Sequence, residues 1–288
     1  MAEAARRGAE EERERAELER LRAEARDLRA RARAHPLISQ AQGILRERYR
    51  LPDGDSAFGL LQRASQRFNI KLRSLADAVL TTPRPDEPDA LWFPRRVRSP
   101  EPALNFPASH RPEPGNRSAV LSAVLSQTLA VVDTSMGNVQ VTDRVRGGLR
   151  LEKHTGLTDD FVDFFAYVGE EGTSCAAAAR DLAQVTVEDV STDPVFTEAA
   201  REQILAAGSL GCHSVPLTTV SGLCLGMVSA HTDHTLRRLG DTQLKTLDAM
   251  GAQAGRWLSW HDRTVLLDAL EYLHALGRRG RGAPIRRS

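Results

Sequence analysis

Three short stripes of apolar residues stand close together near the front of the chain, each at helical spacing. Leu37, Ile38, Ala41, Ile44 and Leu45 make the first. Ala57, Leu60, Leu61, Ala64 and Phe68 make the second, and Leu72, Leu75, Ala76, Val79 and Leu80 the third. Such steps put each set on one side of an α-helix, so Pro36 to Leu80 reads as three helices closing on one small core. Pro52-Asp53-Gly54-Asp55 parts the first two and offers a carboxylate to cap the second. Phe68-Asn69-Ile70 is a tight turn in which Asn69 tolerates left-handed backbone.

Ahead of these stripes, residues 2–34 are almost wholly Ala, Glu, Arg and Leu, a helix-forming composition. With Leu18, Ala25 and Ala32 at a positions, Leu21 and Leu28 fall at d, and Glu17 and Glu24 face Arg22 and Arg29 of a parallel partner. A short coiled coil and a solvated single helix laced with pairs such as Glu11–Arg15 and Asp27–Arg31 both satisfy this pattern. His35-Pro36 predicts a break, because proline suits the first turn of a helix and not its interior. Residues 81–117 hold nine of the fourteen prolines and keep no apolar period, which predicts an extended, semi-rigid linker. Leu91-Trp92-Phe93 is its one sticky point.

From Ser118 the periods mix. Ala119–Val132 reads as a helix, and Val139–Asp143 and Leu149–Lys153 alternate around Gly147-Gly148 as a hairpin. Leu157–Val168 returns to helical spacing, with Phe161, Phe164, Phe165 and Tyr167 expected in the core. Ala183–Val187 is a strand, Thr197–Ala207 a helix, and His213–Pro216 and Leu223–His231 are strands before a long helix over Leu236–His261. The expected plan is therefore multidomain: a helical, coiled-coil-like segment over 1–35, an all-α three-helix module over 36–82, and a linker over 83–117. An α+β domain with an antiparallel sheet follows over 118–263, then a helix end and basic tail over 264–288. From Gly277 that tail carries Arg278, Arg279, Arg281, Arg286 and Arg287 and no acid.

Charge narrows the picture locally. The chain of 288 residues has a net charge of +1, so any attraction to nucleic acid must come from a patch. Between Pro36 and Leu80, Arg46, Arg48, Arg50, Arg63, Arg67, Lys71 and Arg73 oppose only Glu47, Asp53, Asp55 and Asp77. A solvated helical hairpin accounts for that surplus as well as a binding face does. Cys175, Cys212 and Cys224 lack zinc spacing and fit a reducing cytosol. The charged N-terminus has no signal-peptide core, and Ala119–Val132 is too short and polar to span a bilayer, so a cytoplasmic protein with no membrane partner is expected.

Candidate chemistry is thin. His231-Thr232-Asp233-His234 supplies metal-type donors without a third ligand at useful spacing, so no metal is expected. Cys212 and His213 are strand neighbours that point to opposite faces, which favours an inert thiol. Gly-rich phosphate loops, nucleophile elbows and paired carboxylates are missing, so no catalytic residue is named.

Two stretches resemble known families. Ile38-x-x-Ala41-x-Gly43-Ile44-Leu45, Ala57-Phe58-x-x-Leu61-x-x-Ala64-Ser65 and Asn69-x-Lys71-Leu72-x-x-Leu75-Ala76 together resemble the ANTAR domain. That family is a three-helix RNA-binding module of bacterial antiterminators, usually extended by a coiled coil. The resemblance implies RNA hairpins as the partner and Gln42, Arg46, Arg63, Arg67, Lys71 and Arg73 as RNA-facing side chains, with Gln42 where many members carry Lys.

Glu171-Gly172-Thr173-Ser174-Cys175, Val187-Glu188-Asp189-Val190, Asp193-Pro194-x-Phe196 and Ser214-Val215-Pro216-Leu217 with Ser221-Gly222-x-x-x-Gly226 resemble the GAF domain. Its members bind cyclic nucleotides, tetrapyrroles, haem, small metabolites or nothing known, so the cofactor stays unspecified. A ligand cavity bordered by Phe164, Phe165, Cys175, Asp193 and Phe196 is implied. Jointly the two imply a dimeric, non-enzymatic antitermination regulator with a sensor or dimerisation domain. The alternatives are a dimeric interaction protein and a GAF-based redox sensor or methionine sulfoxide reductase using Cys175, Cys212 or Cys224.

Overall fold

Good helix formers carry the first element, α1 (Ala2–Tyr49), through 48 residues in a computed structural model that describes residues 2–85, 90–105 and 113–280. Pro36 lies inside α1, so the expected break is corrected. Proline deletes one N–H bond and crowds the carbonyl four residues back, and the long flanks of helix-favouring residues hold the axis across that defect. α2 (Gly54–Phe68) and α3 (Leu72–Thr81) follow where the stripes predict them. The Asp53 carboxylate accepts the Ser56 N–H at 2.8 Å, and Asn69 ends α2 at φ 50, ψ 42. Ala41, Leu45, Ala57, Leu61, Ala64, Leu75, Ala76 and Val79 are buried together.

The second body begins with α4 (Arg117–Val132), β1 (Met136–Thr142), β2 (Leu149–Thr155), α5 (Asp159–Phe164) and β3 (Tyr167–Val168). It continues through α6 (Ser174–Asp181), β4 (Val185–Val187), α7 (Glu198–Ala206), β5 (Gly211–Thr218), β6 (Cys224–Thr232) and α8 (Asp241–Arg263), and α9 (Val265–Gly280) ends the described chain. The sheet runs β3-β2-β1-β6-β5-β4, every pair antiparallel. This is the α+β architecture the mixed periods predict. Two expectations within it are corrected. Leu157–Val168 is not one helix but α5 and the short strand β3, and Phe164 and Tyr167 are 45% and 36% exposed rather than core. The helix α6 was not anticipated, because its run of alanines has no apolar stripe to read.

Strand alternation divides the sheet into two faces. Val139, Val141, Val215, Leu217, Val228 and Ala230 pack beneath α4 and α8. Their neighbours Gln140, Cys212, Ser214, Met227, Ser229 and His231 turn toward α5, α6 and α7. α8 lies unusually close to β5: a Cβ at Gly255 would collide with the Thr218 backbone.

The two bodies are joined more tightly than a spacer allows. α9 lays Leu266, Ala269, Leu270 and Leu273 into the core of α1–α3, making it a four-helix core. At Gly277 the approach is so close that a Cβ would sit 2.6 Å from the Tyr49 ring. Tyr49 Oη lies 2.9 Å from His274 Nδ1, while His274 Nε2 reaches the Ala90 carbonyl at 3.0 Å. Trp92 is buried in the same core, and its N–H and that of Phe93 both donate to the Glu271 carboxylate at 3.1 Å. Arg96 and Arg98 pair with Asp268, Trp260 Nε1 donates to the Ser99 carbonyl, and Trp257 Nε1 donates to Glu101. The expectation of an extended, semi-rigid linker is thus corrected over 90–105, where the chain is docked from its sticky point at Trp92 onward. So is that of a mere helix end at 264–280; residues 281–288, with Arg281, Arg286 and Arg287, lie outside the described residues.

Candidate nucleic-acid interface

The six RNA-facing candidates do not share one open surface. Arg46 and Arg63 are exposed on α1 and α2, and Gln42 Nε2 donates to the Gly54 carbonyl at 3.3 Å. Arg67 is exposed at its own end of α2, with its guanidinium 4.8 Å from the Tyr272 ring of α9, a cation–π contact. Lys71 and Arg73 turn to the α+β domain. Lys71 is ion-paired with Glu152 of β2, whose side chain is 3% exposed and is also held by Arg150. Burial works to raise the Glu152 carboxyl, but Arg150 and Lys71 outweigh it and hold it at about 2. Arg73 is half-buried, and burial followed by the Arg150 charge pulls it down to about 10.

A cleft of about 390 Å³ opens beside that pair, between the α2–α3 turn and the start of α4. Its neighbour is a tighter polar seam of Asp77, Arg117, Arg144, Arg150 and Asp262, in which Arg144 pairs with Asp262 at 2.6 Å. Asp77 Oδ1 is buried without a hydrogen-bond partner among the described residues, and burial pushes its pKa up. None of these interdomain groups except Lys71, Arg73 and Asp77 stood out in the sequence. Only the packing of the two bodies brings Arg117, Arg150 and Glu152 against α3.

The ligand-cavity candidates also divide. Phe165, Cys175 and Phe196 are buried in one cluster with Phe161 and Met227. Phe164 packs edge-on against Phe165 but is largely exposed. Asp193 shapes its loop, accepting from the Val195 N–H at 2.9 Å while its carbonyl accepts from Arg201. A polar floor lies beneath α5 and α6, where the sequence pattern carries no sign of it. Ser174, Ser214, Ser229 and Cys175 form one hydrogen-bonded set, with 2.8 Å between the Ser214 and Ser229 hydroxyls. His231 lies 2.9 Å from Ser209 Oγ and 3.2 Å from Asn138 Oδ1, and burial lowers its pKa to about 4. Gln140 Oε1 is buried with no partner among the described residues. Alternation of polar and apolar residues in β1 and β6 ordinarily marks a solvated face, and here helices cover it instead.

The thiols are poorly placed as nucleophiles. Burial raises all three, Cys212 to about 12, and all three are free. Among the described residues no cluster of three metal-type ligands occurs, and no helix is long and apolar enough to cross a membrane.

Residues 26–80 match the ANTAR domain family. No curated protein matches this chain. Among solved structures, the GAF domain/HD domain protein from Geobacter sulfurreducens is 16% identical with a TM-score of 0.43, over 51% of this chain and 95% of that one. The GAF domain from a phosphoenolpyruvate-protein phosphotransferase of Coxiella burnetii is 11% identical with a TM-score of 0.43, over 71% and 93%. The free methionine-R-sulfoxide reductase from Neisseria meningitidis is 18% identical with a TM-score of 0.36, over 55% and 96%.

Proposed function

We propose that this chain is an antitermination regulator that binds RNA hairpins through its N-terminal module, with the α+β domain as a GAF-type sensor. The match of residues 26–80 to the ANTAR domain carries this assignment. The physics supports it: exposed arginines on α1 and α2 follow phosphates, and unstacked loop bases supply specificity. RNA and the α+β domain compete for the same cation, because Lys71 pairs with Glu152 and Arg73 is half-covered. A signal that parts Lys71 from β2 while α9 stays packed therefore raises RNA affinity by shifting a population.

Capture and sequencing of bound cellular RNA identifies the target. On such a hairpin, Arg63→Ala with Arg67→Ala weakens binding and flattens the plot of log K against log salt. Each lost phosphate contact removes roughly 0.7–0.9 of slope. Unchanged affinity in that variant would sink the assignment of those arginines.

Self-association is assigned to the front of α1, where Leu21 and Leu28 are 48% and 58% exposed. Sedimentation of the Leu21→Glu, Leu28→Glu variant is expected to report a monomer. A persisting dimer places the contact elsewhere. The redox alternative has weaker support, since burial keeps all three thiols protonated near neutral pH.

A further inference from the structure

The cleft between the α2–α3 turn and α4 is cationic beyond what its own acids balance. Among the described residues, Lys71, Arg117 and Lys153 line it against the single carboxylate Glu152. That carboxylate is already engaged by Lys71 and Arg150. Among the described residues neither Arg117 nor Lys153 has an acidic side chain within ion-pair distance, and Arg117 Nε is buried without a hydrogen-bond partner. Arg117 and Ser118 are also the first residues of the 16-residue helix α4, whose N-terminal N–H groups and dipole favour an anion there.

A second observation is independent of that helix end. His261 borders the cleft and is 1% exposed; Asp262 Oδ1 faces its Nδ1 at 3.6 Å, and among the described residues its Nε2 has no hydrogen-bond partner. The ring is stacked on Trp257 at 5.4 Å, so its direction is fixed. A ring nitrogen such as Nε2 left unpaired that deep costs free energy unless something occupies the cleft beside it.

We propose that this cleft binds a phosphate-bearing small ligand, whose oxyanion is held by Arg117, Lys153, His261 and the start of α4. Both bodies line the site, so an occupant there contacts the RNA module and the α+β domain at once. It also offers Lys71 an anion other than Glu152. The site lies on the α4–α8 side of the sheet, opposite Phe165, Cys175 and Phe196. It does not depend on the RNA assignment.

Titration calorimetry of the full chain with pyrophosphate, and with inorganic phosphate, in chloride buffer tests it. Saturable binding at one site per chain is expected. Arg117→Gln with Lys153→Gln should weaken it by about tenfold or more, and His261→Phe, which keeps the stack on Trp257, should weaken it too. Hydrogen exchange on the unmodified protein guards against a variant that misfolds: pyrophosphate should protect the start of α4 and the α2–α3 turn. Absence of saturable binding, equal affinity in the variants, or protection confined to other elements would overturn the site. Addition of hairpin RNA separates the two sources of phosphate. RNA that leaves pyrophosphate binding unchanged supports the small ligand, and RNA that displaces it competitively reassigns the cleft to the nucleic-acid backbone.

Discussion

A chain that stops after Thr264 is expected to lose ordered α2 and α3 while the sheet survives. Leu266, Leu270 and Leu273 are at most 7% exposed, all in the core that α1–α3 share with α9. Burying each such side chain is worth about 1.5–3 kcal/mol, so removing the three forfeits roughly 5–9 kcal/mol. That is of the order of a whole domain's stability, about 5–15 kcal/mol. The same truncation strips Glu271 from the Trp92 and Phe93 amides and His274 from Tyr49. Hydrogen exchange is the direct measurement. Amides of α2 and α3 should exchange almost as in an unfolded chain, while those of β1, β5 and β6 keep their protection. If α2 and α3 stay protected, α9 only covers a module that is stable alone.

Replacing Glu152 by Gln is expected to release Lys71 from β2, with α9 still joining the two bodies, and to raise RNA affinity. The buried carboxylate is the shared partner of Lys71 and Arg150. The cost falls mainly on Arg150, whose side chain is 11% exposed and is left without this counterion, while Lys71, 56% exposed, is released toward water. The freed Lys71 then reaches phosphate, and hairpin RNA should bind several-fold more tightly with one added contact's worth of salt slope. A further Lys71→Ala change should cancel that gain. An E152Q protein that binds RNA no better would separate the latch from RNA binding.

The same carboxylate sets a pH dependence. Its pKa falls from 4.5 to about 2 on folding, so it stabilises the folded state above pH 4.5 and loses that contribution as pH falls toward about 2. The difference amounts to about 3 kcal/mol. Denaturation midpoints of the unmodified protein should drop across this window, and E152Q should lack that step. Matching profiles would mean that Glu152 is not paired in solution.

Much of the local structure was readable from residues alone. Asp53 as a cap, Asn69 in left-handed backbone and the three stripes of α1–α3 all rest on contacts within a few positions of each other. The Gly147-Gly148 hairpin and the antiparallel sheet follow from alternation in the same way. Pro36 shows where such rules yield, since a local penalty is overridden when both flanks favour one continuous helix. α9 had a readable stripe in Leu266, Ala269, Leu270 and Leu273, but no pattern could say which core it would enter.

The interface was decided only by tertiary structure. Lys71 and Glu152 are 81 positions apart, and Trp92 and Glu271 179 apart. Spacing reports which face of an element is apolar, because that depends on the helical or strand period of one segment. It carries no information on which distant charge will meet Lys71, which sheet face a second layer of helices will cover, or whether a proline-rich stretch will find an aromatic pocket. Those outcomes depend on how separately formed surfaces dock. Here docking turned a basic patch legible in the sequence into one that is divided, with Arg46, Arg63 and Arg67 exposed and Lys71 and Arg73 held against the α+β domain.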